Sequence, residues 1–98
     1  MDLGQVCIGK GVKIIGLSKE QALTQNSMQY VEWTVTIPDG YRILTVYDAS
    51  YLAGVMGSVA RISQSSSRVG VNYYCTASSG TKNLYVNVVY IKSSMIVD

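Results

Sequence analysis

From Tyr30 to Ile37 the chain alternates residue by residue, with Val31, Trp33, Val35 and Ile37 on one side and Tyr30, Glu32, Thr34 and Thr36 on the other. A period of two is the pattern of an extended strand with one buried face, because successive side chains point to opposite faces of a sheet. Trp33, flanked on its own face by Val31 and Val35, is assigned to the core. Pro38-Asp39-Gly40 follows. It joins a fixed φ to a residue free to take positive φ, and so predicts a turn.

The same reading continues to the end of the chain. Tyr41 to Asp48 is a strand with Ile43 on one face and Leu44 and Val46 on the other, an apolarity that suits cover on both sides. Ala49 to Gly54 is a loop, Val55 to Ser63 a glycine-punctuated strand, and Gln64-Ser65-Ser66-Ser67 a polar turn. Arg68 to Cys75 turns Val69, Val71, Tyr73 and Cys75 inward and Arg68, Asn72 and Tyr74 outward. After a second polar turn at residues 77–82, Asn83 to Lys92 carries Leu84, Val86, Val88 and Tyr90 on one face. Tyr85, Val89 and Ile91 lie on its other face, which also looks covered.

The first 28 residues are less regular, since Gly4, Gly9, Gly11 and Gly16 interrupt β-rich runs such as Val12 to Leu17. One or two short strands are expected there. Ser18-Lys19-Glu20-Gln21 matches a capping box and predicts at most one or two helical turns. The fold class is therefore all-β: a small antiparallel β-sandwich of roughly five to seven strands, with at most one short helical element. Residues 1–28 form a glycine-rich amino-terminal segment and residues 29–98 the sandwich.

Composition narrows the function. A chain of 98 residues supports one core, and 48% hydrophobic against 14% charged residues leaves apolar surface in need of a partner. The net charge is +2 and the basic residues form no run, which argues against nucleic-acid and anionic-membrane partners. No apolar stretch approaches the ~20 residues of a membrane helix, and the first residues lack the pattern of a secretory signal, so a soluble, unprocessed chain is expected. Cys7 and Cys75 form no CxxC pair, and with no histidine the usual zinc-ligand sets cannot be assembled. Both are read as small buried thiols, since nothing indicates the oxidising compartment that a disulfide would need, and neither a metal nor a cofactor is expected.

The absence of histidine also removes Ser-His-Asp and Cys-His catalysis, and no phosphate-binding glycine loop occurs. Glu32, Asp39 and Asp48 remain as carboxylates for glycoside hydrolysis, but each has a simpler role in a strand or turn, and no enzyme is expected. The aromatic set is eight tyrosines, one tryptophan and no phenylalanine. Tyrosine suits wet surfaces, sugar stacking and subunit contacts, since it offers an apolar face and a hydroxyl. Tyr30, Tyr41, Tyr73 and Tyr90 are read as covering the ends of the sandwich. Tyr51 in its loop, with Asp48 at the preceding strand end and the outward Tyr74, forms the candidate ligand-binding set.

Ile37-Pro38-Asp39-Gly40-Tyr41-Arg42-Ile43-Leu44-Thr45-Val46 resembles a strand-turn-strand of carboxy-terminal domains in phage and prophage tail-fibre or baseplate proteins. Arg68 to Tyr74 and Leu84 to Lys92 are similar to the closing strands of such domains, so that the likeness spans about residues 29 to 92. The resemblance implies a receptor-binding tip carried on the virion. It would associate as a homotrimer and recognise a host surface glycan or protein, with residues 1–28 as the junction to a shaft. Three copies would then meet at or near Tyr85, Val89 and Ile91. The resemblance carries no catalytic or binding motif. A structural tail or capsid domain with no host ligand is the alternative, and a small glycan-cleaving domain is the weakest.

Overall fold

A computed structural model describes residues 11–95 of the chain. Among the described residues six strands follow one another: β1 (Val12–Leu23), β2 (Ser27–Thr34), β3 (Tyr41–Asp48), β4 (Val55–Ser63), β5 (Arg68–Cys75) and β6 (Gly80–Lys92). A single 3-10 turn, Ser93–Met95, comes after them. All strand pairs are antiparallel, in two three-stranded sheets: sheet A in the order β1-β6-β3 and sheet B in the order β2-β5-β4. The two sheets pack as a small β-sandwich, the fold that the alternation predicts.

The core is what the period of two delivers. Central strand β5 buries Val69, Val71, Tyr73 and Cys75, and central strand β6 buries Leu84, Val86, Val88 and Tyr90. Val31 and Trp33 of β2 and Val35 just beyond it fill the space between, with Trp33 edge-on to Tyr73. Each such side chain contributes roughly 1.5–3 kcal/mol by leaving water. The Trp33 Nε1 is buried without a hydrogen-bond partner, so the indole is held by packing alone. Cys75 is a free, buried thiol, and Cys7 lies outside the described residues. At Pro38-Asp39-Gly40 the expected turn closes through the Tyr41 N–H to the Pro38 carbonyl at 3.0 Å, with Gly40 at a φ of 81°.

Three expectations are corrected. Ser18 to Gln21 does not open a helix; it lies inside β1, whose twelve residues pair in continuous register with β6 from Val12–Ile91 to Leu23–Gly80. Pairing with β6 takes the backbone of Gln21, an odd-numbered residue, and holds the segment extended along the whole strand. The break expected between residues 28 and 29 falls inside the sandwich for the same reason, because β1 is an outer strand of sheet A and β2 already begins at Ser27. The faces of β3 are also different. A bulge between Ile43 and Thr45 inserts Leu44 as an extra residue, which puts Ile43 and Val46 on the same inner face. Val46 is fully buried and Leu44 is 52% exposed.

The sheets are stitched at both sides by glutamine carboxamides. On one side the Gln29 side chain donates to the Ala22 carbonyl at 2.9 Å and accepts from the Thr24 N–H at 2.7 Å. On the other the Gln64 side chain donates to the Ile43 carbonyl at 2.6 Å and accepts from the Ile43 N–H at 2.8 Å. Each carboxamide supplies the donor and acceptor that a neighbouring strand would have supplied to an edge of sheet A.

Candidate ligand-binding face

Alternation in β2, β4 and β5 leaves a second set of side chains on the outer face of sheet B, and the strand register arranges them in rows. Met28, Tyr74 and Met56 cross the sheet together, then Tyr30, Asn72 and Ser58, then Glu32, Gly70 and Arg61, and last Thr34, Arg68 and Ser63. Gly70 is the key to the third row. A Cβ there would collide with the hydroxyl and ring edge of Tyr30, which means the phenol ring lies across the bare backbone of the central strand. The ring is 48% exposed. Part of it is covered at the central strand and the rest faces solvent.

The ring is also held at its tip. The Tyr30 hydroxyl donates to Glu32 Oε2 at 2.6 Å. Arg68 donates to Glu32 Oε1 at 2.9 Å, and Arg61 lies 3.5 Å from Oε2. The Tyr30 hydrogen bond, followed by that of Arg68, holds the Glu32 carboxyl below its ordinary range, and the same bond to Glu32 pushes the Tyr30 phenol up. Glu32 is thus a carboxylate with both oxygens engaged, unsuited to carrying a proton for catalysis. Two guanidiniums on one carboxylate leave a net positive corner beside the exposed ring. Flat ring, planar donors, the Asn72 amide and the Ser58 hydroxyl together form a shallow polar-aromatic surface.

The sequence-predicted ligand residues are not brought together. Tyr74 is on this face, between the exposed Met28 and Met56. Asp48 lies between the sheets, where its Oδ1 accepts from the Tyr73 hydroxyl at 2.9 Å and from the Ser50 hydroxyl at 2.6 Å. Gly57 opposite has no side chain, and a Cβ there would stand 2.9 Å from the Tyr73 ring and 3.0 Å from the Asp48 Cβ. Burial and the hydrogen bond to Asp48 push the Tyr73 phenol well above its ordinary range. Tyr51 is 89% exposed in its loop with a φ of 54°, and makes no hydrogen bond among the described residues.

Glu32, Asp39 and Asp48 are separated between an outer face, an exposed turn and a partly buried position between the sheets. Among the described residues no cluster of His, Cys, Asp and Glu is suited to a metal. Tyr30 was legible on the polar side of its strand, but not as a neighbour of Arg61, since that needs β2 and β4 to flank β5.

Tyr85, Val89 and Ile91 sit on the opposite side of the molecule, on the outer face of sheet A. Val89 is only 9% exposed, covered by its strand neighbours Ile14 and Thr45. The Asn87 side chain donates to the Tyr47 hydroxyl at 3.2 Å, and beside it a shallow depression of about 310 Å³ opens between Gly16, Ser18, Tyr85 and Asn87. No family model, no curated protein and no solved structure matches the chain significantly.

Proposed function

We propose that the domain is a non-catalytic binding module that takes a carbohydrate on the outer face of sheet B. The observation that carries this reading is the half-exposed Tyr30 ring, packed over the side-chain-free Gly70 and tied at its hydroxyl to Glu32. A pyranose has an apolar C–H face that stacks on such a ring and peripheral hydroxyls that need fixed polar partners, here Arg61, Arg68 and Asn72. The ring is held before any ligand arrives, so binding does not have to order it. In the setting that the sequence resemblance implies, a phage or prophage tail fibre, the ligand is a host surface glycan and the chain is part of the virion.

A structural tail or capsid domain is the second reading, favoured by the apolar side chains on the outer face of sheet A, among them Leu44, Tyr47 and Ile14. A glycan array separates the two. The first reading expects reproducible hits that are lost in Tyr30→Leu, which keeps an apolar side chain over Gly70 but no flat ring, while circular dichroism stays unchanged. Absence of any hit with the folded wild-type protein, or hits that survive Tyr30→Leu undiminished, would overturn it.

A further inference from the structure

Of the two edges of sheet A, one is closed. On β3 the Gln64 carboxamide occupies the Ile43 backbone, and the bulge at Leu44 breaks the row of free groups. The β1 edge is different. Lys92 donates its N–H to the Gly11 carbonyl, so odd-numbered residues of β1 bond to β6 and even-numbered ones aim their N–H and C=O groups away from the sheet. Gln29 takes these edge groups at Ala22 and Thr24. Those of Val12, Ile14, Gly16 and Ser18 meet no partner among the described residues. Ile14 and Ile15 stand exposed on the two faces of this open stretch.

We infer that β1 pairs antiparallel with β1 of a second copy about a two-fold axis, joining two A sheets into one six-stranded sheet. Addition of β1 to the β3 edge of another copy would build rings or filaments, but Gln64 and the bulge block it, which leaves the self-complementary contact. Symmetry allows only a few registers, and charge excludes one of them. Centring on Gly16 would set Lys13 against Lys19 twice, a like-charge pair opposite each other across the strands. Centring on Ile15 sets Val12 opposite Ser18, Lys13 opposite Leu17, Ile14 opposite Gly16 and Ile15 opposite itself. No like charges meet, and the even-numbered pairs carry the backbone hydrogen bonds.

That register also gives the depression an occupant. Ile14 of the second copy stands on the outer face next to Gly16, where the missing side chain opens the space between Ser18, Tyr85 and Asn87. The contact is reciprocal, two Ile14 side chains entering two depressions. It lies on sheet A and leaves the sheet B face of both copies free.

Sedimentation equilibrium of the full chain at micromolar concentration tests the association, and cysteine pairing tests the register. A two-chain mass is expected, returning to one chain in Ile14→Pro, which removes an edge N–H without touching the pairing to β6, and in Ile14→Lys. In a Cys7→Ser background, Ile15→Cys should cross-link to a covalent dimer under mild oxidation, because opposed residues of a non-hydrogen-bonded pair bring their Cβ atoms close. Ile14→Cys should not. A one-chain mass for the wild type, a three-chain mass, or a dimer that neither variant dissociates would overturn the inference. So would cross-linking through position 14 rather than 15.

Discussion

The sharpest test of the sheet B face is Gly70→Ala, a substitution whose sign depends on one neighbour. In a strand, alanine is ordinarily the more stable residue by about 0.5–1 kcal/mol, because glycine loses more backbone freedom on folding. At Gly70 the added methyl would occupy the place of the Tyr30 hydroxyl and ring edge, so the ring has to leave. Tyrosine side chains bury 150–250 Å² when fully packed, and with Tyr30 at 48% exposure about 100 Å² is covered. At about 25 cal/mol per Å² the displaced ring forfeits about 2.5 kcal/mol, and the net loss after the alanine gain is ~1.5–2 kcal/mol. For a domain of this size that lowers Tm by roughly 10 °C.

In a Tyr30→Ala background the obstruction is gone, and the same Gly70→Ala change should stabilise by about 0.5–1 kcal/mol. A double-mutant cycle read by urea denaturation would therefore return a coupling of ~2–3 kcal/mol between the two positions. Equal effects of Gly70→Ala in both backgrounds would refute the packing of Tyr30 over Gly70, and with it the platform on which ligand binding is argued.

The bulge in β3 predicts that Leu44→Asp folds with nearly wild-type stability while Val46→Asp, which buries an unpaired carboxylate, gives no cooperative melt; the reverse outcome would restore simple alternation. Gln64→Ala leaves the Ile43 N–H and C=O without their partners and should cost roughly 1–3 kcal/mol, with faster hydrogen exchange at Ile43 by NMR; unchanged exchange would show that the edge is closed by something else. The Tyr73 phenol titrates higher in the folded chain than its ordinary 10.0, so the stability it contributes is complete below pH 10 and is lost as pH rises toward the folded value. Tyr73→Phe should accordingly flatten the alkaline fall of the unfolding free energy above pH 10, and an equally steep fall would count against the phenol as its source.

What could be read from the sequence follows from how local the signal is. Strands β2, β5 and β6 alternate without interruption, and their inner faces are the ones that Trp33, Tyr73 and Leu84 announce. β3 could not be read the same way, because a bulge is made by two chains. Ile43-Leu44-Thr45-Val46 has no internal mark of an extra residue, and only its register against Val89 and Tyr90 reveals it. In β1 a capping box was legible and wrong: Ser18 and Gln21 have the right types and spacing, yet pairing with β6, which takes the Gln21 backbone, keeps the segment extended. Tyr74 was recognised as outward, but Tyr30, Arg61 and Arg68 become a cluster only when β2 and β4 take their places beside β5.

Glycines carry the part of the sequence that alternation cannot explain. Gly70 and Gly57 are both in strands, where a side chain would ordinarily add packing, and both face a tyrosine: Tyr30 above the sheet and Tyr73 beneath it. A chain with no phenylalanine has to place every phenyl ring with a hydroxyl attached. The two glycines make room for rings whose hydroxyls then reach Glu32 on the surface and Asp48 inside. The inner pair is closed on itself and serves stability. Only the outer one leaves a ring half-exposed beside unsaturated positive charge, which is why a binding role attaches to Tyr30 rather than to the equally well-held Tyr73.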